Sequence, residues 1–318
     1  LATLEPMQCE LINVVTKDGV SLQGVVFVPQ KKAGPSTRSA RSGQTPTAVG
    51  VWIHGLGSNF YGGYTRLVTL AKHFTKNGMA LAAINTRGHD IVTRAIKQDR
   101  RKKKGYRSIQ AGSAYEKFSE SVFDIDGVVE FLRPRFKSII LIGHSTGSNK
   151  AVYYVSKKTL QKKIAGVVLI APVSDVPMVQ ERLGEDFQEA LNAARKMVKI
   201  GKSSELVKQI LPHSIYSAQR LVSLGDQGSV EQMFPTKEFQ GPLRLFSKIK
   251  IPTLVLFGEE DDYLKVDNIS ADALLSAFAK NTKSRAFSGT IIKGADHSFT
   301  GKEEELASIL VSWITKTP

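Results

Sequence analysis

Hydrophobic positions along this 318-residue chain fall into short apolar runs separated by longer stretches with one apolar side. The short runs, bounded by turn-forming residues, predict strands at residues 10–15, 21–29, 48–54, 80–85, 138–143, 166–171, 253–258 and 288–293. Helical spacing predicts helices at 64–77, 114–132, 148–156, 271–279 and 303–316. Strands that alternate with helices favour a mostly parallel sheet covered on both faces, an α/β architecture. The first two strands flank Lys17-Asp18-Gly19, an Asp-Gly signal for an antiparallel hairpin.

Residues 173–249 interrupt this alternation. Their pattern is mostly helical, with candidates at 179–200, 203–211 and 214–224 and a looser stretch at 227–241. The chain therefore divides into a core built from 1–172 and 250–318 and a helical insertion at 173–249. Residues 30–47, rich in Lys, Gly, Ser and Pro, read as a mobile surface loop.

The chemistry concentrates after three of the predicted strands. Gly143-His144-Ser145-Thr146-Gly147 joins the apolar run at 138–142 to a helix starting near Ser148. A strand turning sharply into a helix around G-x-S-x-G exposes the serine on a strained turn, where side chains two residues to either side would collide with the neighbouring strand and helix. Downstream, Gly258 ends a buried strand and the acids Glu259, Glu260, Asp261 and Asp262 follow at once. His297 lies on the loop after the last predicted strand, within Lys293-Gly294-Ala295-Asp296-His297-Ser298-Phe299. A serine hydroxyl is a poor nucleophile at neutral pH and needs an adjacent base, which imidazole supplies. The imidazole needs a buried carboxylate to fix its tautomer and stabilise its positive charge.

In these residues the chain resembles the α/β-hydrolase superfamily, over about residues 20–313. The resemblance rests on His54-Gly55-Leu56-Gly57, Asn85-Thr86-Arg87-Gly88-His89, the Ser145 turn, the step from Gly258 to Asp261 and the step from Gly294 to His297. It implies a sheet of about eight strands flanked by helices, with residues 173–249 as a helical lid over the site. It also implies Ser145 as nucleophile, His297 as base and Asp261 as the acid, with Asp262 the alternative in a run of four carboxylates. The implied oxyanion donors are the backbone N–H groups of Leu56 and Thr146. Phe60 and Tyr61, just after that loop, are substrate-binding candidates. The Gly-His-Ser-Thr-Gly form is also similar to one in siderophore-ester hydrolases.

The activity so implied is hydrolysis of a carboxylic ester through an acyl-enzyme, on a small-molecule substrate, with no cofactor and no metal. Acyl transfer and thioester cleavage use the same three residues. A receptor-like relative that binds a small molecule with little turnover is the reading from another class. Other polar residues have structural readings: His54 and His144 pack, Arg87 and His89 fix loops near the site, Asp124 and Asp126 each make a capping or pairing contact, and Asp296, His73 and His213 are ordinary loop, surface or packing residues.

Composition fits a large globular core, with 42% hydrophobic and 23% charged residues. The charge is unusual: 44 Lys and Arg against 29 Asp and Glu give +15. The basic residues concentrate at 94–107, expected as a solvated loop, and the sequence carries no recognised nucleic-acid motif. Cys9 is the sole cysteine, so no internal disulfide forms. No apolar segment reaches the ~20 residues of a membrane span. The expectation is a soluble protein of the cytoplasm or an organelle lumen, any leader already removed. The oligomeric state is left open.

Overall fold

The computed structural model describes residues 7–30, 47–207, 216–226, 228–238 and 243–317. Strands are β1 (Gln8–Val15), β2 (Ser21–Val28), β3 (Ala48–Ile53), β4 (Ala80–Ile84), β5 (Thr93–Gln98), β6 (Tyr106–Ala111), β7 (Ser138–His144), β8 (Gly166–Ile170), β9 (Thr253–Gly258) and β10 (Phe287–Ile292). Helices are α1 (Tyr64–Lys76), α2 (Ser121–Leu132), α3 (Thr146–Val155), α4 (Lys158–Gln161), α5 (Val176–Leu183), α6 (Phe187–Lys199), α7 (Ala218–Gly225), α8 (Asp262–Asp267), α9 (Ala271–Asn281) and α10 (Glu303–Lys316).

Among the described residues, eight strands form one sheet in the order β1-β2-β4-β3-β7-β8-β9-β10. β1, β2 and β4 pair antiparallel, and from β4 to β10 every neighbour is parallel. The pleat sends alternate side chains to opposite faces. Val49, Val51 and Ile53 of β3 join Ile139 and Leu141 of β7 against α2, α3 and α9, while Trp52, Ile140 and Ile142 pack on the other face against α1 and α10. Burial on both faces explains why these strands read as unbroken apolar runs.

Three local expectations are corrected. The helix expected at 114–132 starts later: Phe118–Glu120 form a 3-10 turn and α2 begins at Ser121. The single helix expected at 179–200 is two, because Gly184 takes φ +55 and ends α5 before α6 begins. The basic stretch at 94–107 is no loop but most of a β-ribbon, β5 paired antiparallel with β6, whose inner face seats Ala95 and Ala111 on Val20 and Leu22. Within the insertion, residues 203–207 are not helical. The rest of the helix expected at 203–211, His213 and residues 31–46 lie outside the described residues.

Candidate active site

The site assembles at the C-terminal ends of the parallel strands. β7 ends at His144, and Ser145 turns the chain into α3 with φ +55, a conformation a side chain adopts only under constraint. The constraint is visible in the packing. Ser145 N–H donates to Ile170 O of β8 at 2.9 Å, and Ser148 Oγ donates to Gly143 O at 2.8 Å. A Cβ on Gly143 would lie 2.4 Å from Gly147 O, and one on Gly147 would lie 2.1 Å from Ile53 O. Only glycine permits this approach of α3 to β3.

Asp261 caps α8: its carboxylate accepts from Tyr263 N–H at 2.9 Å. His297 stands on the loop after β10. Its Nδ1 lies 3.0 and 2.9 Å from the two oxygens of Asp261, and its Nε2 lies 2.9 Å from Ser145 Oγ. The three side chains thus form one hydrogen-bonded row. Carboxylate on Nδ1 requires the proton there, which leaves Nε2 as acceptor for the Ser145 hydroxyl. All three are nearly buried, with exposures of 5%, 1% and 7% for Ser145, Asp261 and His297. Asp262 is exposed.

Aromatic rings clamp the imidazole. Tyr263 stacks on His297 with centroids 4.0 Å apart, and His144 lies on another side at 5.3 Å. The Nε2 of His144 holds His297 O at 2.8 Å, and its ring stacks on Trp52. Burial keeps the His144 imidazole well below its ordinary pKa, so it is neutral and donates that hydrogen bond.

His54 is equally structural. Its Nδ1 donates to Gly55 O at 2.9 Å and its Nε2 accepts from Thr86 N–H at 3.1 Å. Burial, together with the nearby Lys150 ammonium, lowers its pKa to about 3. These contacts fix the chain at Gly55 and Leu56. Leu56 N–H donates to Thr146 Oγ1 at 3.1 Å, and Thr146 Oγ1 donates to Asp175 Oδ2 at 2.7 Å. The loop after β3, the first residue of α3 and the start of the insertion are tied together by one hydroxyl.

Behind this hydroxyl sits a buried charge cluster that no sequence motif announced. Lys150 Nζ lies 2.6 Å from Glu116 and 3.3 Å from Thr86 Oγ1. Arg220 of α7 donates from Nε to Ser113 O at 3.1 Å and pairs with Glu231. Lys150, Glu116 and Arg220 are wholly buried. Burial pushes the Asp175 and Glu231 carboxyls up from their ordinary range, while for Glu116 the cations Lys150 and Arg220 overcome the effect of burial and hold it down.

The remaining expected residues take defined places. Arg87 is ringed by Asp18, Glu120 and Asp124, at 2.9, 2.6 and 2.8 Å. Asp126 accepts from Tyr154 Oη and Lys163. His89 bonds Thr86 O, Asp296 accepts from Thr300 N–H, and His73 pairs with Glu304. Phe60 packs with the cluster under α1 and α10, and the half-exposed Tyr61 donates its hydroxyl to Asp90 at 2.6 Å. Neither ring is bonded to Ser145, Asp261 or His297.

A family model described as "Protein of unknown function (DUF1749)" matches residues 106–317. The chain belongs to this DUF1749 family. No curated protein matches the sequence. Solved structures resemble this DUF1749 chain over nearly its whole length. Est1E from Butyrivibrio proteoclasticus with bound ferulic acid is 14% identical, with a TM-score of 0.59, over 96% of this chain and 98% of that one. The Pyrococcus furiosus esterase Pf2001 is 16% identical at 0.59, over 100% and 96%. XC6422 from Xanthomonas campestris, described as an α/β serine hydrolase without a lid, is 12% identical at 0.54, over 98% and 96%. This DUF1749 chain therefore has the α/β-hydrolase fold.

Proposed function

We propose that the chain is a serine hydrolase that cleaves carboxylic esters through an acyl-enzyme on Ser145. The observation that carries this reading is the buried row from Asp261 through His297 to Ser145, with donor-acceptor separations of 2.9 to 3.0 Å at each step. Fold likeness to chains described as esterases supports the ester class.

In this mechanism His297 Nε2 takes the Ser145 proton as Oγ attacks the ester carbonyl carbon. The carbonyl oxygen becomes an oxyanion that accepts from the N–H groups of Thr146 and Leu56. Leu56 exchanges its hydrogen bond with the Thr146 hydroxyl for one to substrate. Asp261, held by Tyr263 N–H, stabilises the imidazolium through Nδ1–H. His297 then protonates the leaving alkoxide, the ester C–O bond breaks, and the acyl group stays on Ser145. Water attacks the acyl-enzyme with His297 again as base, releasing the acid and restoring the serine. Every proton moves through His297, so the cycle needs no added group.

Residues 173–249 act as the roof of this site. The apolar cluster of α5, α6 and α7, including Val179, Phe187, Leu191 and Leu221, packs on Leu56, and that contact supports this reading. A cavity of about 640 Å³ lies between α5, α6, α7 and α8, and its lining includes none of Ser145, Asp261 and His297. Substrate selection is assigned to this roof, at its contact with Leu56.

The test is hydrolysis of p-nitrophenyl esters of increasing acyl length by wild type and Ser145→Ala. The expected result is turnover by wild type and a loss of roughly 10⁴-fold or more in the variant with its far-UV spectrum unchanged. Retained activity in Ser145→Ala would sink the assignment.

A further inference from the structure

The β5–β6 ribbon has an inner face and an outer face, and they are chemically different. The inner side chains Ala95 and Ala111 are buried on Val20 and Leu22. The outer face presents Arg94, Ile96 and Gln98 beside Gln110, Ser108 and Tyr106, paired in that register. Ile96 and Tyr106 are 41% and 46% exposed there, and Ile91 and Val92 at the foot of the ribbon are 51% and 52% exposed.

Its tip is a fixed display of cations. Residues 94–107 carry eight Lys or Arg against the single acid Asp99, a net +7 of the chain's +15. Backbone bonds from Asp99 N–H to Gly105 O, Lys102 N–H to Asp99 O and Gly105 N–H to Lys102 O close the turn. Asp99 is spent on Arg101 and Arg107, and Lys97 is paired with Asp18. Among the described residues Arg94, Arg100, Lys102, Lys103 and Lys104 have no carboxylate partner. Like charges held this close repel one another, so the arrangement is stabilised by an anionic partner.

We propose that this ribbon docks on an anionic phospholipid surface. The unpaired cations meet the headgroups, and Ile91, Val92, Ile96 and Tyr106 enter the interfacial layer. A bilayer surface satisfies both kinds of side chain at once, since interfacial binding adds apolar burial to electrostatic attraction. A phosphate backbone satisfies only the cations and leaves three aliphatic side chains in water, and the ribbon carries Tyr106 alone for base stacking. Position adds a consequence. Ile91 O accepts from Ala114 N–H, and the Ile91 side chain lies beside Gly57, next to Leu56. Docking through the ribbon therefore sets the oxyanion loop close to the membrane.

Sedimentation of the full chain with vesicles of phosphatidylcholine, with and without phosphatidylserine, tests this independently of any enzymatic activity. The expected result is pelleting with phosphatidylserine vesicles alone, lost on adding salt because charge attraction is screened beyond roughly 10 Å at 0.1 M. Replacing Arg100, Lys102, Lys103 and Lys104 together by Gln weakens vesicle affinity by roughly a hundredfold or more. Ile96→Ser with Tyr106→Ser weakens it further while leaving the salt dependence as in wild type. Ester turnover in vesicle-free buffer and the far-UV spectrum of both variants match wild type, which separates lost docking from lost folding. Equal pelleting with neutral vesicles, no pelleting with anionic vesicles at low salt, wild-type affinity in the quadruple variant, or tighter binding to duplex DNA than to anionic vesicles at equal salt would overturn the proposal.

Discussion

At the residue scale, the four consecutive acids after β9 become unequal once their places are known. Asp261 is buried, caps α8 and faces His297, whereas Asp262 is exposed. Asp261→Asn is expected to lower kcat by roughly 10³- to 10⁴-fold, because a neutral amide neither fixes the Nδ1–H tautomer nor stabilises the imidazolium. Asp262→Asn is expected to stay within a few-fold of wild type, and steady-state kinetics on one ester compares the two. Thr146 illustrates what sequence reading missed. Its backbone N–H follows from the turn motif, but its hydroxyl joins Leu56 N–H to the buried Asp175, and nothing local marks Asp175 as a partner 29 residues away. Thr146→Val keeps the shape and strands both groups, so urea unfolding is expected to show a loss of about 1–3 kcal/mol, with Thr146→Ser close to wild type. Equal stability of the valine variant would refute the role of this hydroxyl.

At the element scale, legibility tracks burial. β9 was readable to the residue and the neighbouring parallel strands to within one or two, since burial on both faces forces continuous apolar runs. The β5–β6 ribbon was not readable. Its buried positions are the small Ala95 and Ala111 and the half-buried Ile109, while its outer face is polar and charged, so alternation is faint against the density of Lys and Arg. The helical spacing of the insertion is legible, but its division into α5 and α6 is not, because the break at Gly184 depends on one left-handed residue. Its attachment was invisible for another reason: Arg220, Glu231, Glu116 and Lys150 look like ordinary surface charges until the fold buries them together. Arg220 joins α7 to Ser113 O and Glu231. Arg220→Met leaves Glu231 buried without its cation, and an expected cost of about 3–5 kcal/mol follows. Limited proteolysis checks this, with cleavage in 173–249 preceding cleavage of the core. Simultaneous loss of both would show that Arg220 does not pin the insertion.

For the whole molecule, the ion cluster around Arg87 ties the β1–β2 turn to α2, and its acid sensitivity follows from Asp18. Burial alone would raise the Asp18 pKa, but hydrogen bonds from Arg87 and Thr16 outweigh it and bring the value from 3.8 down to about 2. A carboxyl lowered on folding contributes stability above its unfolded value and loses it as pH falls through the folded one. The stability difference between wild type and Asp18→Asn is thus expected to be full above pH 3.8 and to vanish toward pH 2, measured by denaturant unfolding across that window. A difference that does not change with pH would contradict the pairing. The α/β-hydrolase fold was legible because five motifs fell in register along the chain, and it brings Ser145, Asp261 and His297 into one row. What that row does is tested most directly by treating wild type and Ser145→Ala with a fluorophosphonate and locating the adduct by mass spectrometry. A single adduct on the peptide carrying Ser145, absent from the variant, is the predicted result. A folded wild-type protein that takes no adduct at Ser145 would contradict the assignment of this serine as the nucleophile.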